Sequence, residues 1–279
     1  MSILKTTGAN ISYTAIGNGP ILILIPGANG TGDIFTGAAQ FLQRHFTVVT
    51  YDRRGYGNSE LTSPTPDTIK NTTDTYRLKT DAADVHTLAQ ILSPDQKVYL
   101  MGSSSGSIVA METLQDFPEI VEKIAFHEPP INSFLPTAAA DQASNNQIVE
   151  TALTGDMQAA MKLFFKAMRI GDLDAQMMGK PAVNADAAAT DARIKGMQYW
   201  FKYEIRQYTS RKIDIAKLKT YRDKISLLDG TDSRGSYPQM VNDFLAKYWD
   251  TTIYDIPGGH LGYAQKPEGF ATTLAAVLL

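Results

Sequence analysis

Residues 97–115 read Lys97-Val98-Tyr99-Leu100-Met101-Gly102-Ser103-Ser104-Ser105-Gly106-Ser107-Ile108-Val109-Ala110-Met111-Glu112-Thr113-Leu114-Gln115. Val98 to Met101 is an apolar run of strand length, and Ile108, Val109, Met111 and Leu114 recur at helical spacing. A strand that reverses into a helix across Gly102-Ser103-Ser104-Ser105-Gly106 must turn sharply, with the residue at the apex held in a strained backbone conformation and its side chain pushed out. Of the three serines only Ser104 has glycine two places before and two places after, where a Cβ would clash. The start of the following helix points free N–H groups at whatever reacts with Ser104. The alternative is a Gly/Ser-rich turn with no chemistry; the strand before and the helix after favour a nucleophile.

The same alternation extends outward. Residues 3–16 alternate polar and apolar around a turn at Gly8-Ala9-Asn10 and read as a hairpin. Ile21 to Ile25 is continuously aliphatic, as in a strand buried on both faces. It runs into the glycine-rich loop Pro26-Gly27-Ala28-Asn29-Gly30-Thr31-Gly32 and a helix over 33–44. A strand over 46–51 ends in Asp52-Arg53-Arg54-Gly55-Tyr56-Gly57-Asn58-Ser59, a polar loop fills 60–75, and a helix spans 80–92. Past the Ser104 unit come strands at 123–127, 224–228 and 252–256, and helices at 239–247 and 267–279. Between 131 and 219 only helical patterns occur, near 144–154, 156–170 and 190–208.

Strands alternating with helices imply a mostly parallel sheet with helices on both faces, whose site lies at the carboxyl ends of the strands. Ala28, Asp52, Ser104, Glu128, Asp232 and His260 all fall at such ends. Residues 1–130 and 220–279 therefore form the core, and the helical block 131–219 interrupts it and is expected to cover the site.

Composition narrows the function classes. The 279 residues are 43% hydrophobic, enough for a substantial core, and the net charge of −3 with scattered Lys and Arg leaves no nucleic-acid footprint. Cysteine is absent, which removes disulfides, thiolate metal sites and a cysteine nucleophile. No run reaches membrane-spanning length and the N-terminus lacks a signal-peptide pattern, so a cytoplasmic location, no membrane partner and no metal or cofactor are expected. The assembly is open between monomer and homodimer.

The chain resembles the α/β-hydrolase superfamily over nearly its whole length. The resemblance rests on the Ile21–Gly27 strand and loop, on Asp52-x-Arg54-Gly55-x-Gly57-x-Ser59 followed 45 residues later by Gly102-x-Ser104-x-Gly106, and on Gly259-His260 near the end. It implies an eight-stranded sheet with an inserted helical cap, and a nucleophile, an acid and a histidine as a catalytic triad. Ser104 would be the nucleophile and His260, alone among four histidines in a glycine-rich loop at a late strand end, the general base. The family's first oxyanion loop usually begins His-Gly; here it is Pro26-Gly27, and the N–H groups of Ala28 and Ser105 would still form the oxyanion hole. The acid is open between two residues. The usual position follows the 224–228 strand in a G-x-x-D pattern, but Gly230-Thr231-Asp232-Ser233 puts Ser233 there and Asp232 one residue early. Some members carry the acid one strand earlier, where Glu128 stands here.

Asn29 and Trp200 are candidates for substrate binding. Six of the ten methionines lie in 131–219, beside Tyr199-Trp200-Phe201, and suggest an adaptable apolar pocket as well as ordinary packing. Asp52 and Arg54 read as structural. The expected activity is a serine hydrolase, carboxylesterase-like, on a small acyl substrate. Alternatives are a small-ligand receptor on the same fold, a cofactor-free haloperoxidase, a C–C hydrolase, and a dinucleotide-binding enzyme suggested by Gly27-x-x-Gly30-x-Gly32 with Asp52 further on, although that glycine spacing departs from the dinucleotide fingerprint.

Overall fold

The computed structural model describes residues 1–28, 30–179 and 187–279. Strands β1 (Ser2–Thr6), β2 (Ala9–Ile16), β3 (Ile21–Ile25), β4 (Thr47–Tyr51), β5 (Glu60–Leu61), β6 (Val98–Ser103), β7 (Val121–His127), β8 (Ile225–Gly230) and β9 (Ile253–Ile256) form one sheet in the order β1-β2-β4-β3-β6-β7-β8-β9, with β5 paired to β2. All pairings from β4 onward along this order are parallel; those of β2 with β1, β4 and β5 are antiparallel. The expected eight strands are present in sequence order. The ninth, β5, is a two-residue addition inside the polar stretch read as loop.

Helices α1 (Thr36–Leu42), α2 (Tyr76–Leu92) and α3 (Ser105–Asp116) alternate with the early strands. Between β7 and β8 lie α4 (Ala138–Leu153), α5 (Met157–Met168), α6 (Asp172–Gly179), α7 (Ala187–Tyr203), α8 (Ile205–Thr209) and α9 (Ile215–Lys219), with no strand among the described residues of this insertion. The chain closes with α10 (Tyr237–Trp249), α11 (Gly262–Gln265) and α12 (Pro267–Leu278). The short α6 and α9 went unread in the sequence, because eight and five residues give too few turns to establish a period.

The aliphatic run of β3 shows why the sheet is covered twice. Leu22 and Leu24 enter a cluster with Phe35, Leu42, Phe270 and Leu274 of the α1/α12 face, while Ile23 and Ile25 join Val85, Leu88, Ile108 and Val109 of the α2/α3 face. Each such side chain taken out of water contributes about 1.5–3 kcal/mol, so a strand with apolar residues at every position is stable only between two layers.

The insertion is fastened to the core by charge as well as by apolar contact. Glu204, at the start of α8, accepts from Arg53 Nη1 and Nη2 at 3.1 and 2.9 Å, from Arg77 Nη2 at 2.6 Å and from the Tyr56 hydroxyl at 2.6 Å. Asp81 takes Arg53 Nη1 and the Tyr208 hydroxyl at 2.8 and 2.7 Å. Burial opposes the charge on Arg53, and Glu204 and Asp81 outweigh it, so its pKa is raised. Burial likewise opposes the Asp81 carboxylate, and Arg77 and Arg53 lower its pKa on balance. Arg211 adds a two-bond pair with Glu112 of α3, at 2.9 and 2.8 Å.

Glu204→Ala leaves two buried guanidinium groups with one carboxylate. The expected loss of stability is about 3–5 kcal/mol, the range for a buried pair robbed of one partner. It is read as a fall in the urea unfolding midpoint at neutral pH; an unchanged midpoint would show that the network holds nothing together.

Candidate active site

Ser104 sits between β6 and α3 with φ 56° and ψ −127°, outside the regions ordinary side chains favour. The flanking glycines make this turn sterically feasible. A Cβ at Gly102 would meet the Gly106 carbonyl oxygen at 2.3 Å, and one at Gly106 would meet that of Ile25 at 2.2 Å. The neighbouring serines are otherwise engaged. Ser103 Oγ is buried against His127 Nδ1 at 3.0 Å, Ser107 Oγ donates to the carbonyls of Gly102 and His127, and Ser105 Oγ is buried without a hydrogen-bond partner. Ser104 keeps partial exposure and lines a cavity.

The strand register brings Glu128 beside it. Ser103 pairs with His127 across the β6/β7 ladder, so the next residues, Ser104 and Glu128, leave the sheet side by side, and Ser104 N–H donates to the His127 carbonyl at 2.9 Å. Glu128 also takes a positive φ, 48°. Its Oε2 meets His260 Nδ1 at 2.6 Å, while its Oε1 accepts from Gly230 N–H at 2.9 Å, from Gln239 Nε2 at 3.2 Å and from the Ser233 hydroxyl. Burial pushes the Glu128 carboxyl up, but the bond from His260 and the further donors hold it at about 2. A carboxylate held there only accepts, so Nδ1 of His260 carries the hydrogen and Nε2 presents a lone pair. Burial lowers the His260 pKa, and Glu128 more than offsets it, leaving the imidazole more basic than usual.

Of the two carboxylates weighed in the sequence, Glu128 is the one bonded to His260. Asp232 is exposed, and among the described residues its carboxylate accepts only from the adjacent Thr231 hydroxyl, at 3.0 Å. It is not brought to His260, because its loop turns the chain so that Ser233 faces inward. Ser233, standing where the family usually carries a carboxylate, donates to Glu128 at the end of the neighbouring strand β7.

The loop after β3 closes the other side of Ser104. A Cβ at Gly27 would lie 2.9 Å from Ser104 Cβ. Ala28 and Ser105 line the same cavity as Ser104, with Pro130, Asn145, Phe164, Met168 and Trp200. Trp200 meets Phe164 edge-on with ring centres 4.9 Å apart. The cavity is narrow, about 20 Å³ in volume. Of the methionines read as a pocket, only Met168 lines it among the described residues; Met157, Met161, Met178 and Met197 pack on the core. Asn29 lies outside the described residues.

Other sequence candidates take structural roles. Asp52 Oδ1 accepts from Gly32 N–H at 3.0 Å and its Oδ2 from Asn58 N–H at 2.9 Å, so both oxygens hold turns and neither is left for a dinucleotide ribose. Arg54 makes two 2.7 Å bonds to Asp84. His127 is buried between Tyr263 and Phe270, and burial lowers its pKa to about 4. His86 stacks on Phe117. Among the described residues no group of three or more His, Asp or Glu gathers to hold a metal ion. Three residues of consequence were missed: Arg53, which stood only as a variable place in a motif, Glu204, and Asp174, whose carboxylate reaches the His260 loop from 86 residues away.

A family model described as the alpha/beta hydrolase fold matches residues 20–156. An uncharacterized hydrolase, YraK, of Bacillus subtilis (strain 168) is 30% identical over 279 residues, covering 99% of this chain and 94% of that protein. Two solved structures share the fold at low identity. One is a thermophilic esterase from Thermogutta terrifontis, with TM-score 0.74, 15% identity and coverage of 100% of this chain and 98% of that one. The other is the enol-lactonase from Burkholderia xenovorans LB400, with TM-score 0.71, 17% identity and 99% of each chain covered. An end-to-end relative and a parallel sheet that turns sharply at Ser104 agree: the chain belongs to the α/β-hydrolase superfamily.

Proposed function

We propose that the protein is a serine hydrolase that cleaves a small carboxylic ester or related acyl compound through an acyl-enzyme intermediate. The observation that carries this reading is Ser104, pushed out of a strained turn one strand away from a buried Glu128–His260 pair with a 2.6 Å bond. A serine hydroxyl is a weak nucleophile near neutral pH and needs a base beside it. In the proposed reaction His260 Nε2 takes the proton as Ser104 Oγ attacks the acyl carbon, and Glu128 stabilises the imidazolium. The N–H groups of Ala28 and Ser105 receive the oxyanion as charge develops. His260 then protonates the leaving alkoxide. Water, deprotonated by the same imidazole, attacks the acyl carbon; the bond to Ser104 Oγ breaks, His260 returns the proton to that oxygen, and the carboxylic acid leaves.

The helices over the cavity act as a cap, and their apolar walls at Phe164, Met168 and Trp200 suit a short acyl group. The two structural neighbours, an esterase and an enol-lactonase, fit opening of an acyl–oxygen bond.

The test is labelling with a fluorophosphonate, with the modified peptide mapped by mass spectrometry. Ser104 is the expected site, and Ser104→Ala abolishes labelling and lowers kcat/KM for p-nitrophenyl acetate by about four or more orders of magnitude. A folded wild type that neither labels nor turns over would turn attention to ligand binding without chemistry.

Glu128→Gln is expected to lower kcat about 10⁴-fold, because the amide no longer fixes the tautomer, whereas Asp232→Asn stays within about twofold of wild type. Since the neutral imidazole is the base, kcat/KM rises as pH climbs through the His260 pKa, and Glu128 sets that limb above the ordinary histidine value of about 6.5. Residual activity of Glu128→Gln therefore shows a limb displaced to lower pH. A wild-type limb below pH 6 would contradict the assignment.

Trp200→Ala removes a wall of the cavity and shifts preference toward longer acyl chains, seen as a higher ratio of octanoate to acetate kcat/KM. An unchanged ratio would place the acyl group elsewhere.

A further inference from the structure

His260 is approached by a second carboxylate. Asp174, on α6 of the insertion, is 2% exposed. Its Oδ2 accepts from the main-chain N–H of His260 at 2.9 Å, and its Oδ1 from that of Leu261 at 2.9 Å and from Gln265 Nε2 at 2.6 Å. Gln265 in turn offers Oε1 to the N–H of Gly259 at 2.7 Å. Three successive N–H groups, 259 to 261, therefore end on this carboxylate or on the amide it holds. The fit is close, since a Cβ at Gly259 would lie 2.3 Å from Asp174 Oδ2. Consecutive N–H groups converging on one anion form a concave nest, and bonds to an ionised acceptor are about twice as strong as neutral ones. A buried carboxylate is costly unless such bonds are made, so α6 and the loop are mutually dependent.

We propose that Asp174 is a positioning residue for His260: its carboxylate, delivered by the helical insertion, fixes the backbone from which the imidazole hangs, so the base is in place only while α6 is docked. The inference rests on the serine-hydrolase reading and adds a condition to it. If α6 lifts, the loop loses its anchor, and the insertion thereby couples its own seating over the cavity to the competence of the base.

The groups facing His260 are Glu128 and His127 from β7, Asp174 from α6 and, against His127, Tyr263 from α11. Glu128 bonds the ring itself; Asp174 bonds the backbone and adds a second negative charge that favours the imidazolium. Removing that charge lowers the His260 pKa, so the acid limb of kcat/KM moves to lower pH. Gln265 carries no charge, so its loss loosens the loop and leaves the limb in place.

The experiment measures kcat, KM and the pH profile from pH 5 to 9 with p-nitrophenyl acetate, together with the rate of fluorophosphonate labelling, for wild type, Asp174→Asn, Gln265→Met and Asp232→Asn. Asp174→Asn is expected to lose about tenfold to a hundredfold in kcat with little change in KM, the scale set by a small misplacement of a catalytic group. Its labelling slows in parallel and its limb moves to lower pH. Gln265→Met loses several-fold in kcat with an unmoved limb, and Asp232→Asn matches wild type. Wild-type kcat and an unmoved limb in Asp174→Asn, even with a lowered thermal midpoint, would overturn the proposal by leaving Asp174 a structural tie alone. If Asp174→Asn does not fold, an unchanged kcat in Gln265→Met overturns it equally. An inactive, unlabelled wild type sinks the serine-hydrolase reading and this inference together; an active wild type with an indifferent Asp174→Asn sinks this inference alone.

Discussion

Arg53 is the interaction on which the two parts of the molecule and one wall of the site depend. Its side chain has no exposure to solvent, and neither does that of Glu204. Nη1 reaches Asp81 of α2 and Glu204 of the insertion, and Nη2 reaches Glu204 and, at 2.7 Å, the carbonyl of Gly27. One guanidinium thus ties the sheet-side helix α2, the insertion and the loop that carries Ala28. With Arg77 the network holds two positive and two negative side chains, so its charge is balanced. Such a cluster yields little net stability over an apolar filling, because desolvation consumes most of the attraction. Its value is geometric: the planar fork of arginine accepts few alternative arrangements of its partners.

Strain is stored where that geometry is needed. Among the described residues, four non-glycine residues have positive φ. Arg169 and Asp250 cap the C-termini of α5 and α10, a common place for it. Ser104 and Glu128 instead follow adjacent parallel strands, where left-handed backbone re-aims the side chain as the chain leaves the sheet. The surroundings over-determine both. Ser104 is locked by the Gly102–Gly106 approach and its bond to the His127 carbonyl; Glu128 has its amide on the Leu228 carbonyl and its carboxylate on donors from β8, α10 and the loop between them. Strain of this kind persists only under such constraint, and it recurs where a side chain must be held ready for chemistry.

What the sequence disclosed follows from the range of each interaction. The order of strands, the Ser104 turn and His260 at a strand end depend on contacts within a few residues, and periodicity and glycine spacing record these directly. The carboxylate that bonds His260 was legible only as a pair of candidates. Glu128 and Asp232 both end strands, and the choice between them turns on which way a loop rotates after Gly230. The sequence did hold a pointer, in that a serine occupies the expected place of the acid. The Arg53–Glu204 network and the Asp174 nest carried no local signal. Their partners are separated by 151 and 86 residues, and a buried glutamate at the start of a helix reads like any solvated one.

The loop after β8 supplies donors where the sequence allowed a carboxylate: Gly230 N–H, the Ser233 hydroxyl and Gln239 Nε2 all converge on Glu128 Oε1. Those donors sit on Oε1 and Oε2 meets His260, whose bond and charge, with His127 and the Ser233 bond, hold the carboxyl low against a burial that pushes it up. The β8 loop therefore supports the carboxylate that meets His260. On the far side of that ring Asp174 holds the backbone. The histidine is thus fixed at its Nδ1 by Glu128 and at its main chain by the insertion.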